Sequence, residues 1–280
     1  MMQRTVTAQE IERFKKQLLS DERSGATVDK YIRDVTAFAV AAQGSEITKE
    51  SVIAYKKRLQ GRYAVQSVNS ALASLNRLFA FLGWHDLVVR SLRRQRQTFC
   101  SEEKELTKAE YTRLCRAAAR KGNVRLDLIL QTLCTSGIRI GELVCITVEA
   151  ARHGEAVVTG KAKTRSVFLV KELCKRLLRY AGERGIESGP IFVTRRGRPV
   201  DRSNVWREMK ALCEEAGVEP KKVFPHNLRH LFARVFYGAE KDIAKLADIL
   251  GHSSIDTTRI YIISTGAEHR RCMEHMRLIV

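Results

Sequence analysis

Ala247-Asp-Ile-Leu-Gly-His252-Ser-Ser-Ile-Asp-Thr-Thr-Arg-Ile-Tyr261 places a tyrosine nine positions after a histidine. The residues between them, Ser253 to Ile260, predict a short helix. Ser253 is the expected cap, Asp256 falls in the first turn, and Ile255 and Ile260 are expected to face inward. Alone, the stretch reads as an ordinary helical corner with a half-buried tyrosine.

Two other stretches change that reading. Upstream lies Pro225-His226-Asn-Leu-Arg229-His230, and further upstream Thr135-Ser-Gly-Ile-Arg139-Ile-Gly-Glu142-Leu. An arginine near the start of a domain, a His-x-x-Arg box, a Leu-Gly-His box and a tyrosine nine residues on occur here in that order. Together they resemble the tyrosine recombinase (phage integrase, Xer-like) family, with the likeness covering most of residues 105–265. The resemblance implies a mainly α fold with a small β-sheet. It implies an N-terminal helical, SAM-like core-binding domain over 1–90, a basic linker over 91–104, and a mostly helical catalytic domain with a terminal tail helix over 105–280.

The bulk numbers agree with a folded partner of a polyanion. The chain has 280 residues, 44% of them hydrophobic, enough for two modest domains or one large one with a real core. A formal net charge of +19 favours nucleic acid first and an anionic membrane second. The seven cysteines are dispersed, with no pair at zinc-knuckle or redox spacing, and read as reduced thiols of a cytosolic protein. The N-terminus has no apolar signal region and no run is long enough to span a bilayer, so a cytoplasmic, nucleoid-associated location is expected and membrane association is not.

Along the chain, Thr7-Ala-Gln-Glu10 is a capping box that opens a helix with Ile11, Phe14 and Leu18 inward. Val28, Val35 and Phe38 mark a second helix. A third is expected from Thr48 to about Leu59 with Val52, Ile53 and Leu59 inside, and a fourth runs from Val65 to Gly83. Arg90-Ser-Leu-Arg93-Arg94-Gln-Arg96 is the basic linker stretch. Thr107-Lys-Ala-Glu110 is a second capping box and starts the second domain. Ala156–Thr159 and Ser166–Leu169 predict two strands joined by the basic tip Gly160-Lys161-Ala-Lys163-Thr-Arg165. Gly189-Pro190-Ile-Phe-Val-Thr predicts a third strand. Asp201 caps a helix through Val205, Met209 and Leu212.

The chemistry follows from the residue types. A phosphodiester under attack gathers charge on its non-bridging oxygens, and planar guanidinium forks match that geometry. Arg139 and Arg229, on separate elements, can clamp one phosphate from two sides. Tyr261 is the expected nucleophile, and His226, three residues before Arg229, the expected base. From the resemblance, His252 bonds the scissile phosphate, Glu142 orients the site, His230 is a buried structural residue, and a lysine on the hairpin tip protonates the leaving 5′-oxygen. Lys161 matches that position and Lys163 is its near neighbour. A 3′-phosphotyrosyl link stores the bond energy, so neither ATP nor a metal cofactor is expected. The chain has no phosphate-binding Gly-x-x-x-x-Gly-Lys loop and no dense acidic cluster. His226 and His230 also have the i, i+4 spacing of metal ligands, and His252 would complete a three-histidine site. Arg229 beside them and the missing glutamate argue against that reading.

The expected function is site-specific DNA recombination, for integration or excision of a mobile element or for resolution of replicon dimers. The resemblance implies double-stranded DNA with an inverted-repeat site, a homotetramer on that DNA, and an accessory DNA-bending or directionality factor as partners. In the family, the tail docks on a neighbouring subunit. Two alternatives remain at this point: a non-catalytic architectural DNA-binding protein on the same fold, and a monomeric type IB topoisomerase-like nicking and closing enzyme.

Overall fold

In the computed structural model, Thr7 Oγ1 accepts from the Glu10 N–H while Glu10 Oε2 accepts from the Thr7 N–H. This reciprocal cap opens helix α1 (Ala8–Ser20). The structure describes residues 4–42, 44–93, 105–159, 164–194, 196–261 and 273–276. The chain divides into two compact units, Met1–Arg96 and Gln97–Val280.

In the first unit α1 is followed by α2 (Gly25–Ala42), α3 (Lys49–Gln60) and α4 (Val65–Phe81). Apolar side chains at helical spacing supply one core, including Phe14, Leu18, Val35, Phe38, Leu72 and Phe79. Phe38 meets Tyr55 edge-on, at 5.0 Å between ring centroids. It meets Phe79 in the same way at 5.8 Å, the arrangement that ring quadrupoles favour. Each buried Leu or Phe contributes roughly 1.5–3 kcal/mol of transfer free energy. Ile53 departs from expectation: it is 40% exposed, because the inward stripe of α3 runs through Val52 and Leu59. Two asparagines on α4 then hold the departing chain. Asn76 Nδ2 donates to the Val89 carbonyl and its Oδ1 accepts from the Val89 N–H, and Asn69 does the same with Leu92. Leu92 is therefore still fastened to the helical bundle, and residues 94–104 of the expected linker lie outside the described residues.

The second unit begins with α5 (Lys108–Arg120), capped by Thr107 and Glu110 as the sequence predicts. Next comes α6 (Val124–Ser136), buried almost all round, and Gly137 ends it in the left-handed conformation. A helix buried on nearly every side belongs at the centre. Accordingly α5, α8 (Lys171–Glu183), α9 (Arg202–Lys210) and α11 (Pro225–Glu240) all pack on it. Between them run a 3₁₀ turn (Ile140–Cys145), α7 (Val148–His153) and the strands β1 (Glu155–Thr159) and β2 (Thr164–Phe168). The strands are antiparallel, with Glu155 opposite Phe168 and Thr159 opposite Thr164. A short helix α10 (Cys213–Ala216) precedes α11, and α12 (Ile243–Leu250) and α13 (Ile255–Arg259) follow it.

The expected third strand does not form. Residues 189–194 make only isolated bridges, Thr147 with Pro190 and Val193 with Pro199. Prolines stand at both bridges, whose hydrogen bonds are made by the flanking residues, and proline is confined to the margins of sheets. Cys174 and Cys213 are buried and Cys115, Cys134 and Cys145 partly so, all as free thiols. Burial pushes Cys115 and Cys134 up to about 12, so neither presents a thiolate near neutral pH. Cys100 and Cys272 lie outside the described residues. Among the described residues, no helix is long and apolar enough to cross a membrane.

Candidate active site

Helix α11 starts with Pro225 at its first position, where a missing N–H costs nothing. His226, Arg229 and His230 follow on one face at i, i+3 and i+4. Arg229 is 1% exposed, the largest fully buried side chain among the described residues. Two of its hydrogen bonds go to backbone. Its Nη1 donates to the Gly137 carbonyl at 2.5 Å and its Nη2 to the Leu250 carbonyl at 2.7 Å. These carbonyls close α6 and α12, so two helix C-termini, each with partial negative charge, hold the cation. Nη2 also lies 2.9 Å from His252 Nε2, and Nε is buried with no hydrogen-bond partner among the described residues. Burial and the charge of Arg139 pull the Arg229 guanidinium below its ordinary range, and Tyr261 and Glu142 oppose them.

Gly137 makes this socket. Its φ is +65°, and a Cβ there would sit 2.4 Å from Phe232 Cδ1 and 3.1 Å from Leu250 Cδ2. Gly137→Ala adds left-handed strain of about 1–2 kcal/mol and an overpacking cost of about 1–3 kcal/mol. Thermal denaturation is expected to register that loss. Replacing Phe232 by Leu in the same chain should recover part of it.

His252 has a defined tautomer. Arg229 only donates, so His252 Nε2 accepts and Nδ1 carries the proton. Nδ1 then donates to Thr258 Oγ1 at 2.8 Å. That bond fixes the face of α13. Thr258 and Tyr261 turn inward, whereas Ile255 and Ile260 are each 47% exposed, contrary to the expectation for both isoleucines. The cap of α13 is Ser254 rather than Ser253.

Tyr261 is buried, packed with Ala233, Leu246 and Leu250. Three imidazoles surround its ring: His230 at 4.3 Å, His252 stacked at 5.4 Å, and His226 at 5.6 Å between centroids. Among the described residues, no three His, Cys, Asp or Glu side chains are grouped to hold a metal ion. Burial and then Arg229, Arg139, Arg165 and His226 hold His252 down to about 4. Burial, His226 and Arg229 hold His230 down to about 4. Burial, Arg229 and Arg139 lower His226 as well.

These shifts have a sign in stability. An unfolded imidazole titrates near 6.5. A folded pKa below that favours the neutral form, so the contribution is present above about pH 6.5 and lost as pH falls toward 4. The melting temperature is expected to drop between pH 6.5 and 4.5, and His230→Asn should shrink that drop. An equal drop in the variant would contradict the assignment.

Arg139 caps the 3₁₀ turn, its N–H donating to Glu142 Oε2 at 2.7 Å and its Nη1 to Oε1 at 3.1 Å. Glu142 also takes both prongs of Arg165, at 3.1 and 2.8 Å. Burial works to raise the Glu142 carboxyl, and the Arg165 fork and the Arg139 contacts outweigh it and hold it low. The structure thus gathers Arg139, Glu142, His226, Arg229, His252 and Tyr261 in one region. Lys161 and Lys163 lie outside the described residues. Arg165 was missed by sequence reasoning. Its signal was parity, because it shares the inward side of β2 with Val167, where a charge needs a partner.

Residues 104–268 match the model of the phage integrase family, and residues 11–86 match that of the phage integrase N-terminal SAM-like domain. The chain belongs to the phage integrase family. Among its relatives is the tyrosine recombinase XerA of Thermococcus kodakarensis, 31% identical over 96% of this chain and 95% of that protein. XerA of Pyrococcus furiosus is 26% identical over 100% and 98%. The crystal structure of XerA recombinase superposes with a TM-score of 0.55 at 26% identity, covering 98% of this chain and 100% of that one. A lambda integrase dimer bound to a COC′ core site superposes at 0.74 over 91% and 95%, and at 17% identity it speaks for the fold alone. The integrase-family chain is a tyrosine-type site-specific recombinase, as its full-length Xer relatives are.

Proposed function

We propose that this recombinase breaks and rejoins DNA through Tyr261. The Tyr261 hydroxyl attacks a backbone phosphorus, the bond to the 5′-oxygen breaks, and a 3′-phosphotyrosyl link forms. His226 takes the phenolic proton; its lowered pKa keeps it neutral and able to accept at pH 7. Arg139, Arg229 and His252 stabilise charge on the non-bridging oxygens, and Glu142 orients Arg139. Lys161, or its neighbour Lys163, gives the proton to the 5′-oxygen. A second 5′-hydroxyl reverses the step, so ligation needs no ATP.

The observation that carries this reading is the buried Arg229 guanidinium beside a tyrosine ringed by imidazoles. A guanidinium held by backbone carbonyls rather than a carboxylate keeps its charge for an incoming anion. The proposed partner is duplex DNA with an inverted-repeat site, bound by four copies of the chain. An accessory DNA-bending or directionality factor is part of the same proposal. In the solved relatives, lambda integrase is seen as a tetramer on a Holliday junction, and XerH on difH substrate. The test is covalent capture: nicked genomic fragments are mixed with the protein and denatured, and protein-linked strands are sequenced. Ends at one inverted-repeat site are expected, and their location separates a mobile element from a replicon. Scattered ends favour a topoisomerase-like activity, and binding without linked strands favours an architectural role.

A further inference from the structure

We infer that Arg165 is a positioning residue for strand cleavage, acting through Glu142 on Arg139 and fastening β2 to the segment that carries His252. The inference rests on the strand-cleavage reading above.

Arg165 makes three kinds of contact, one on the 3₁₀ turn and two on α12 and its cap. Its two Nη atoms take both oxygens of Glu142, at 3.1 and 2.8 Å. This is a fork-to-fork pair. Its Nε donates to the Ile249 carbonyl on α12 at 3.3 Å. Its stem lies against Gly251, where a Cβ would meet Arg165 Cδ at 2.6 Å and Nε at 3.0 Å. The glycine before His252 therefore leaves the room that this arginine fills.

Glu142 is the pivot. With both oxygens fixed by Arg165, it still accepts from the Arg139 N–H and from Arg139 Nη1. The Arg139 side chain is 48% exposed, against 16% for Glu142 and 15% for Arg165. A long cation in that setting samples many rotamers unless something aims it, and here the aim comes through Glu142. A lysine at 165 keeps the charge but cannot supply two parallel prongs and a third bond to Ile249. Misplacement of a reacting group by about 1 Å costs about 100-fold in rate.

The full-length chain is compared with Arg165→Lys, Arg165→Gln, Glu142→Gln and the Arg165→Lys/Glu142→Gln pair. DNA affinity, melting temperature and single-turnover adduct formation on a nicked duplex are measured for each. Adduct formation is expected to fall about 100-fold in both Arg165 variants, with affinity unchanged within about 3-fold. The pair should lose less than the product of the two single losses, because both changes break the Glu142 relay while only the Arg165 change breaks the bond to Ile249. Additive losses, or an Arg165→Lys rate near wild type, would overturn the inference.

Two NMR readouts stand apart from activity. The Arg139 Nε–H signal should be ordered in wild type and mobile in Arg165→Lys; equal order in both would overturn the positioning role. The His252 imidazole contacts Arg229 on α11 and stacks on Tyr261, and Arg139, Arg165 on β2 and His226 add to the charges that lower it. Its titration should move up in Arg165→Gln, which removes a cation, and stay low in Arg165→Lys. If wild type forms no adduct, the strand-cleavage reading fails, and these two signals still decide whether Arg165 positions Arg139.

Discussion

Tyr261→Phe is expected to bind its DNA and form no covalent adduct. The change deletes one oxygen and leaves the ring among His226, His230 and His252. The apolar neighbours Ala233, Leu246 and Leu250 keep their contacts. Folding should therefore lose no more than a hydrogen bond's worth, about 0.5–1.5 kcal/mol. The reaction loses its nucleophile. In enzymes with a covalent intermediate such a loss costs on the order of 10⁶ in turnover. The check is a denaturing gel of nicked, end-labelled duplex beside a binding titration. A shifted band that persists in the variant would remove Tyr261 from the chemistry.

Arg229→Lys is expected to lose both activity and stability, whereas Arg139→Lys loses activity alone. The buried Arg229 bonds the carbonyls of Gly137, the cap of α6, and of Leu250, the last residue of α12, and reaches His252. An ammonium cannot serve all three. A buried carbonyl left without a donor costs about 1–3 kcal/mol. In a unit of this size each kcal/mol moves the melting temperature by about 2–4 °C. Loss of one preorganised donor at the phosphate costs a further 10²–10³ in rate, about 3–4 kcal/mol of barrier. Arg139 has an exposed side chain held by Glu142. Its replacement should leave the melting temperature within about 1 °C, in line with the small worth of exposed pairs. Both rates should be taken at a temperature where each variant stays folded. Equal melting temperatures for the two variants would contradict the buried socket.

Much of this site was legible in the sequence because its parts are carried by side chains with local signatures. The two Thr-x-x-Glu capping boxes start α1 and α5 as read, and Pro225 sits at the first position of α11. The spacing of His226 and Arg229 on one helical face needs no tertiary information. What stayed hidden is carried by backbone and by register. Every residue has a carbonyl, so nothing in the letters marks Gly137 and Leu250 as the groups that hold Arg229. Ile255 and Ile260 were read inward because they are apolar. In a helix of five residues the bond from His252 to Thr258 and the burial of Tyr261 decide the face instead. The third strand does not form: residues 189–194 make two isolated bridges to two different segments, each with a proline at the bridge. Arg165 was visible only by asking which side of β2 it shares with Val167, and its partner Glu142 lies on a different element.

In this mechanism Tyr261 becomes joined to DNA. The most direct measurement is mass spectrometry of the protein after reaction with a nicked duplex, nuclease trimming and trypsin. The peptide Ile260–Arg270 is expected to carry a 3′-linked nucleotide remnant on Tyr261, with the unmodified peptide depleted in proportion. A nucleotide on another residue, for instance Tyr237, or an unmodified Ile260–Arg270 peptide in a sample whose DNA has been cleaved, would contradict it.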